Sequence, residues 1–437
     1  MKPIDSFRNR VIQGDCIEVM EEIPDNSIDA CVTDPDYGID FMSKEKFKGT
    51  PREYQAWTQE WAIEVMRVLK PGAHMLVFGI PRMYHRMASG VEDVGFEIRD
   101  QIQWVFSSGF PKSHNIGKAV DELQGNEREI VGTKRCGIAD GPFGSPPEEE
   151  KHIKETKGDS PWEGWGTALK PAHEDILLAR KPISERNIAE NVLEWGCGGI
   201  NVDRCRIETT DKLGRPSGTM PHPMDWGTKD KVEFKNNSGD KGRFPANLVL
   251  SHDERCSEVG CHQECPVRLL DEQSGKNCGG RWGKSRKNTG KTSMFGIGRV
   301  GNANEFIGDS GSASRFFYCA KASPTERDRG LEEYGMKNTV PTVKPLDLCR
   351  YLVRLVTPPN GIVLDPFAGS GSILIACVLE GFDYIGIELE QDYVDIANAR
   401  LGYWGLPEHE RKRYDRKQRS RERRESENMI GLDRWLK

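Results

Sequence analysis

Two short stretches at opposite ends of the chain carry residue types that could do chemistry. Near the N-terminus the apolar run Ile28–Thr33 leads straight into Asp34-Pro35-Asp36-Tyr37-Gly38. An acid, a rigid proline and an aromatic at the end of a buried strand could hold a planar ring that bears an amino group. The Asp34 carboxylate would accept from the exocyclic NH₂, the Pro35 carbonyl would take a second hydrogen bond, and Tyr37 would stack on the ring. The same residues also read as an ordinary turn signature. Near the C-terminus, a strand ending in Asp365 passes through Pro366-Phe367-Ala368-Gly369-Ser370-Gly371 and enters a helix at Ser372. Glycines at 369 and 371 let the backbone approach a ligand beside a helix N-terminus. Glu388 closes the next strand, 23 positions after Asp365, where an acid pairs with ribose hydroxyls in dinucleotide folds. The run is not G-x-G-x-x-G, so a nicotinamide fingerprint does not fit.

The elements that must position these residues alternate at both ends. Arg10–Asp15 reads as a strand, Cys16–Ile23 as a helix and Ile28–Thr33 as a buried strand. A helix around Tyr54–Leu69, ended by Pro71-Gly72, precedes a strand at His74–Phe78. Towards the C-terminus come a strand at Gly361–Asp365, a helix at Ser372–Glu380, a strand at Tyr384–Glu388 and a helix at Gln391–Leu401. This predicts an α/β fold in which one parallel, helix-covered sheet is assembled from two distant segments. Residues 113–167 and 183–315 are instead rich in Gly, Pro, Asn, Ser and charge, with strand-like islands at Asp175–Ala179 and Arg315–Cys319. A loop-rich insertion of that size in a compact domain points to function.

Taken together, these residues resemble the amino-group DNA methyltransferases, which use S-adenosylmethionine to methylate adenine N6 or cytosine N4. The signatures of that family are Asp/Asn/Ser-Pro-Pro-Tyr/Phe and a D-x-F-x-G-x-G cofactor loop. The catalytic motif comes first here and the cofactor loop last, as in the beta class. Further matches are Gly14-Asp15-Cys16, Lys170-Pro171-Ala172-His173-Glu174 and Pro341-Thr342-Val343-Lys344-Pro345. The resemblance implies a Rossmann-like methyltransferase sheet split between the N- and C-terminal segments. It implies that Asp34, Pro35, Asp36 and Tyr37 form the target-base pocket. Asp15 and Cys16 would face the cofactor's adenine side, with Asp365, Phe367, Gly369, Gly371 and Ser372 along its methionine and ribose. Glu388 would bind the ribose hydroxyls and Lys344 would border the methionine end. The target nucleotide must flip out of the duplex. No Pro-Cys dipeptide occurs, which argues against the covalent route to cytosine C5. Asp at the head of the motif favours adenine N6, with cytosine N4 as the alternative and an RNA substrate as a third reading.

The main departure from the family is Asp36, where a second proline is usual. A proline there would fix its own φ and push residue 35 into an extended conformation. Aspartate removes that restraint and could displace the Pro35 carbonyl, and misplacement by ~1 Å can cost on the order of 100-fold in rate. The expectation is therefore impaired activity with cofactor binding intact; the other reading is that the turn tolerates aspartate. Val340, where His is usual, and Ser372, where Thr is common, are lesser departures.

Two features of the insertion could serve recognition and folding. Residues 273–304 hold Lys276, Arg281, Lys284, Arg286, Lys287, Lys291 and Arg299, with no Asp or Glu and eight glycines. Such a segment could follow the phosphate backbone of double-stranded DNA, and raising salt should then weaken binding steeply; a solvated linker is the other reading. His252, Cys256, Cys261 and Cys265 have spacings that could close a structural zinc site, or they are free thiols in a loop.

Composition fits this picture. The 437 residues carry 68 acidic against 62 basic side chains, a formal net charge of −6, and 36% are hydrophobic. The length allows two to three domains, and mild acidity excludes a histone-like polycation but not a local groove for nucleic acid. No window approaches ~18 consecutive apolar residues, which excludes an ordinary membrane span. Twelve cysteines in a long chain without an export signal read as reduced thiols of a cytoplasmic protein, in a bacterial cell or a phage-infected host. The expected organisation is a catalytic half at 1–112, a target-recognition insertion at 113–315 with 168–182 returning to the sheet, a cofactor half at 316–405 and a basic tail at 406–437. A dimer and a partner restriction enzyme both remain open.

Overall fold

The computed structural model describes residues 2–39, 47–107, 109, 113–136, 151–209, 219–221, 231–233, 242–253, 255–257, 260–275, 277–278, 310–320, 326–341, 343–418 and 420–421. Strand β1 (Arg10–Gln13) leads into helix α1 (Cys16–Glu21), and β2 (Ile28–Thr33) precedes α2 (Pro51–Val68). Next come β3 (Leu69–Gly79), α3 (Tyr84–Asp93) and β4 (Glu97–Val105). After α4 (Ile116–Gln124), β5 (Glu129–Cys136) and β6 (Lys151–Lys157) come β7 (His173–Arg180) and α5 (Ile188–Trp195). The middle of the chain adds β8 (Thr219–Pro221), β9 (Lys231–Glu233), β10 (Leu248–Ser251), α6 (Pro266–Ser274), β11 (Asn277–Cys278), β12 (Ser310–Gly311) and β13 (Tyr318–Ala320). The C-terminal part is α7 (Leu346–Val356), β14 (Ile362–Asp365), α8 (Ser372–Glu380), β15 (Asp383–Glu388) and α9 (Gln391–Trp404).

The chain forms two units, one of residues 1–107 and 173–437 and a small one of residues 108–172. In the small unit, Asn115 caps α4 by accepting from the Lys118 N–H at 2.9 Å, and Gly125 ends it in the left-handed region. Arg128 there joins Asp121 and Glu163, beside the antiparallel pair β5–β6.

The large unit is built on a nine-stranded sheet in the order β1-β15-β14-β2-β3-β7-β4-β10-β13. The sheet is mixed rather than parallel throughout, because β7 runs antiparallel to both β3 and β4. Strand–helix alternation speaks only for the segments that show it, and an antiparallel neighbour requires no crossover helix. Alternate residues of β3 enter opposite cores. Leu76 and Phe78 pack with Leu348, Leu352 and Ile373 of α7 and α8. Met75 and Val77 pack with Trp61, Val65, Met87 and Val91 of α2 and α3. The sheet is thus covered on both faces, as its apolar strands require.

Helix α2 begins three residues before Tyr54, the first apolar position that marks it in the sequence. Thr50 and Glu53 form a reciprocal capping box, and Pro51 stands at the first helical position, where its missing N–H costs nothing. The helix ends at Val68 and Leu69 opens β3, so Pro71-Gly72 lie within that strand instead of terminating the helix. Likewise Ala313–Phe316 form a turn of 3₁₀ helix, and the island expected at Arg315–Cys319 is strand only at Tyr318–Ala320. Among the described residues no helix is long and apolar enough to cross a membrane.

Candidate functional site

Strands β2 and β14 are parallel neighbours, with Ala30 beside Val363 and Cys31 beside Leu364. Their carboxyl ends therefore open side by side, the place where open α/β sheets bind ligands. Thr33 Oγ1 donates to Asp365 Oδ1 at 2.8 Å, which ties the last residue of one strand to the last of the other.

Four polar side chains converge where β2 ends. Lys344 Nζ lies 2.7 Å from Asp34 Oδ2 and 3.3 Å from Glu174 Oε2, and it donates to the Tyr37 hydroxyl at 2.9 Å. The Tyr37 hydroxyl is 2.8 Å from Asp34 Oδ1 and 3.0 Å from Glu174 Oε2. Asp34 thus has both oxygens oriented by its own chain, and each keeps a further lone pair for a ligand. Lys344 is only 5% exposed. Burial pushes its ammonium down, but Asp34 and Glu174 outweigh that and hold it above the usual lysine range. Burial raises the Glu174 carboxyl despite Lys344, and Asp34 adds to the rise. The Tyr37 phenol is raised by burial and by both carboxylates, so it stays protonated and can donate. Pro35 is buried between Asp34 and Asp36.

Asp36 is tied to the chain that leads into α2. Its Oδ2 accepts from the Phe47 N–H at 3.0 Å, and its carbonyl accepts from the Tyr54 hydroxyl at 2.9 Å.

At the end of β14 the buried Asp365 accepts from the Phe367 N–H at 3.2 Å, and burial pushes its carboxyl up to about 7. The Phe367 ring packs 5.6 Å from both Trp57 and Trp61. Gly369 and Gly371 adopt φ of +51° and +76°, the left-handed region that favours glycine. A Cβ on Gly371 would also meet Ala397 Cβ at 3.1 Å, and Ser372 starts α8 immediately after it. A Cβ on Gly369 would meet Val340 Cγ1 at 3.7 Å, an ordinary contact. Glu388 Oε2 accepts from the Gly369 N–H at 2.8 Å and Oε1 from the Glu390 N–H at 2.9 Å; burial raises this carboxyl. Residues Gln13 and Glu388 are partners in the β1–β15 pair, which brings Asp15 and Cys16 to the same end. Asp15 caps α1, accepting from the Ile17 and Glu18 N–H groups, and burial with Asp15 and Glu388 pushes the Cys16 thiol up to about 12.

A profile of the N6/N4 DNA methylases matches residues 28–399, a span that contains both strand ends and every residue of this cluster except Asp15 and Cys16. The chain belongs to that family. It is similar to the type II methyltransferase M.HindIII of Haemophilus influenzae, 21% identical over 90% of this chain and 94% of that one. It is 34% identical to the type II methyltransferase M.Cfr9I of Citrobacter freundii, over 24% of this chain and 38% of that one. Among solved structures it is similar to the cytosine-N4-specific PvuII DNA methyltransferase, with 13% identity, 90% and 88% of the two chains covered and a TM-score of 0.43. It is also similar to M1.HpyAVI, solved as a complex with S-adenosylmethionine, with 17% identity, 90% and 98% covered and a TM-score of 0.38.

The methylase thus brings Asp34, Tyr37, Lys344, Asp365, Gly369 and Glu388 to one end of the sheet although they span the chain. Lys276, Arg281, Lys284, Arg286, Lys287, Lys291 and Arg299 lie outside the described residues. His252, Cys256, Cys261 and Cys265 come together, with their ligand atoms all within 4.8 Å of one another. Two residues of the methylase's site carry weight that their spacing alone did not assign. Glu174 stood in a matching segment without a role, and its place opposite Lys344 depends on β7 pairing with β3. Arg400 is fully buried and donates to Ser370 Oγ at 2.8 Å and to the Ser370 carbonyl, which holds the Gly-rich turn. A lone arginine among Ile396, Ala397 and Leu401 is the signal that could have revealed it.

Proposed function

We propose that this methylase transfers a methyl group from S-adenosylmethionine to the N6 amino group of an adenine flipped out of duplex DNA. The observation that carries the reading is Asp34, held by Tyr37 and Lys344 at the end of β2 and directly beside the Gly-rich turn that ends β14. An aspartate at the head of the motif is what supports adenine over cytosine.

The residues at the turn fit the cofactor. Gly369 sits in a left-handed turn, and the Glu388 carboxylate stands beside it with lone pairs remaining for ribose hydroxyls. Glu388, Gly369, Gly371, Phe367 and Asp15 would hold S-adenosylmethionine, which supplies a methyl group on a positively charged sulfur. The protein's own work is to orient the amine. Asp34 accepts from the amino group and stabilises the positive charge that grows on its nitrogen. Lys344 Nζ, 2.7 Å from Asp34 Oδ2, holds that carboxylate in place. Extruding the base costs a few kcal/mol of unstacking, which the basic segment 276–299 would offset by following the phosphates.

Asp36 belongs to the same proposal. Its carboxylate is spent on the Phe47 N–H and its carbonyl on Tyr54, which supports a turn that tolerates aspartate and an enzyme that turns over. The experiment is methyl incorporation from S-adenosylmethionine into mixed-sequence duplex DNA and into RNA, followed by digestion to nucleosides. N6-methyladenine from DNA is the expected product. N4-methylcytosine would overturn the base assignment, and methylated RNA alone would overturn the partner.

A further inference from the structure

The geometry points to a structural zinc site formed by His252, Cys256, Cys261 and Cys265, which fastens the far edge of the sheet to α6. It lies away from the methyl-transfer residues and does not rest on the reading of their chemistry. His252 Nδ1 is 3.4 Å from Cys261 Sγ and 3.5 Å from Cys265 Sγ, and all four ligand atoms lie within 4.8 Å of one another. Zinc in a tetrahedron with bonds of ~2.3 Å to sulfur and ~2.0–2.1 Å to nitrogen sets N···S edges of about 3.5 Å and S···S edges of about 3.8 Å. The two measured N···S edges already have that length. Three thiolates and an imidazole select zinc over hard, oxygen-seeking cations, and four protein ligands leave no open position for catalysis. The Cys256 sulfur also accepts from the His262 N–H at 3.3 Å, the outer hydrogen bond that orients a metal thiolate.

The packing around the quartet shows what the ion would do. Strands β10 and β13 lie at the end of the sheet order, and among the described residues their apolar cluster has only Leu250, Cys265 and Val267 buried. So small a core contributes little on its own, and metal binding is a direct source of folding free energy. His252 follows β10 and its N–H donates to the Ala320 carbonyl at the end of β13, at 2.9 Å. Cys265 stands at the N-cap of α6. One ion would therefore join the last two strands of the sheet to that helix. The far end of α6 holds the next segment, since Asp271 accepts from the N–H and hydroxyl of Ser314 at 3.0 and 2.8 Å. Immediately beyond, Asn277 pairs with Gly311 and Cys278 with Ser310, so the short β11–β12 pair follows directly on α6.

The test uses the full-length protein, purified without chelator. Metal analysis should find about one zinc per chain, cobalt substitution should give the thiolate charge-transfer bands of a tetrahedral site, and Cys261→Ser should lose at least half of the metal. Cys319→Ser, altering a cysteine of the same apolar cluster outside the quartet, should keep it. Stripping zinc should open residues 252–275 to proteolysis while S-adenosylmethionine binding is unchanged. Wild-type protein with less than half an equivalent of zinc and no tetrahedral cobalt spectrum overturns the site, whether or not Cys261→Ser folds. Loss of zinc in Cys319→Ser overturns the quartet, and an unchanged cleavage pattern overturns the fastening role.

Discussion

Lys344 Nζ lies 2.7 Å from Asp34 Oδ2 and so joins two residues 310 positions apart in the chain. The lysine comes from the segment before α7 and the acid from the end of β2, so each half of the sheet completes the charge balance of the other. Removing the ammonium would leave Asp34 and Glu174 facing each other with no cation between them. Lys344→Met should therefore destabilise the fold by about 3–5 kcal/mol, the cost of breaking a buried ion pair. Denaturant unfolding of the two proteins checks this.

Glu174 shares Lys344 with Asp34 and touches the Tyr37 hydroxyl, but it is a positioning residue rather than a group on the reacting nitrogen. Glu174→Gln should lower kcat by roughly 10- to 100-fold through loss of alignment and leave the KM for S-adenosylmethionine unchanged. Because burial raises the Glu174 carboxyl, the acid limb of the wild-type kcat profile should lie above the ordinary carboxylate range. In Glu174→Gln that limb should move down or disappear.

Asp36 replaces the proline usual in the family, yet its carboxylate has a partner in the Phe47 N–H. Asp36→Pro should change kcat by less than ten-fold, because the gain in rigidity is offset by loss of that hydrogen bond. An acceleration of about 100-fold would mean that the natural aspartate misplaces the Pro35 carbonyl, and single-turnover rates with both proteins distinguish the two.

Asp365 is buried and its carboxyl is pushed up to about 7. A folded-state value above the unfolded one means that the native protein holds the proton more tightly. Its stabilising effect is full below the unfolded value and is lost as pH rises towards 7. Asp365→Asn keeps an acceptor for Thr33 and carries no proton to lose. Relative to that variant, the wild type should lose Tm steadily between about pH 4 and pH 7, an effect on the order of a few kcal/mol. Melting curves of both proteins in ligand-free buffer show whether the gap follows pH.

Much of this site was legible from sequence because its signals are local. The Ile28–Thr33 strand and the Ser372–Glu380 helix stand where apolar periodicity puts them, since buried parallel strands and a glycine-flanked helix leave strong marks. Strand β4 (Glu97–Val105) and strand β10 (Leu248–Ser251) carried no such mark. The first is largely exposed along one side and the second is only four residues long. The partnership of Glu174 with Lys344 was illegible for another reason: it follows from β7 entering the sheet antiparallel between β3 and β4, a pairing that no local pattern encodes. The quartet at 252–265 was readable from spacing, but its place beside β13 was not.

The role of Asp34 is tested most directly by N6-methyladenine released from duplex DNA after single turnover with wild-type protein and with Asp34→Ala, with S-adenosylmethionine binding measured on both. The wild type should release N6-methyladenine, Asp34→Ala should lose at least about 100-fold, and the two should bind the cofactor equally. Methyl transfer that survives in Asp34→Ala, or wild-type protein that binds S-adenosylmethionine and duplex DNA yet yields no methylated base, would contradict that role.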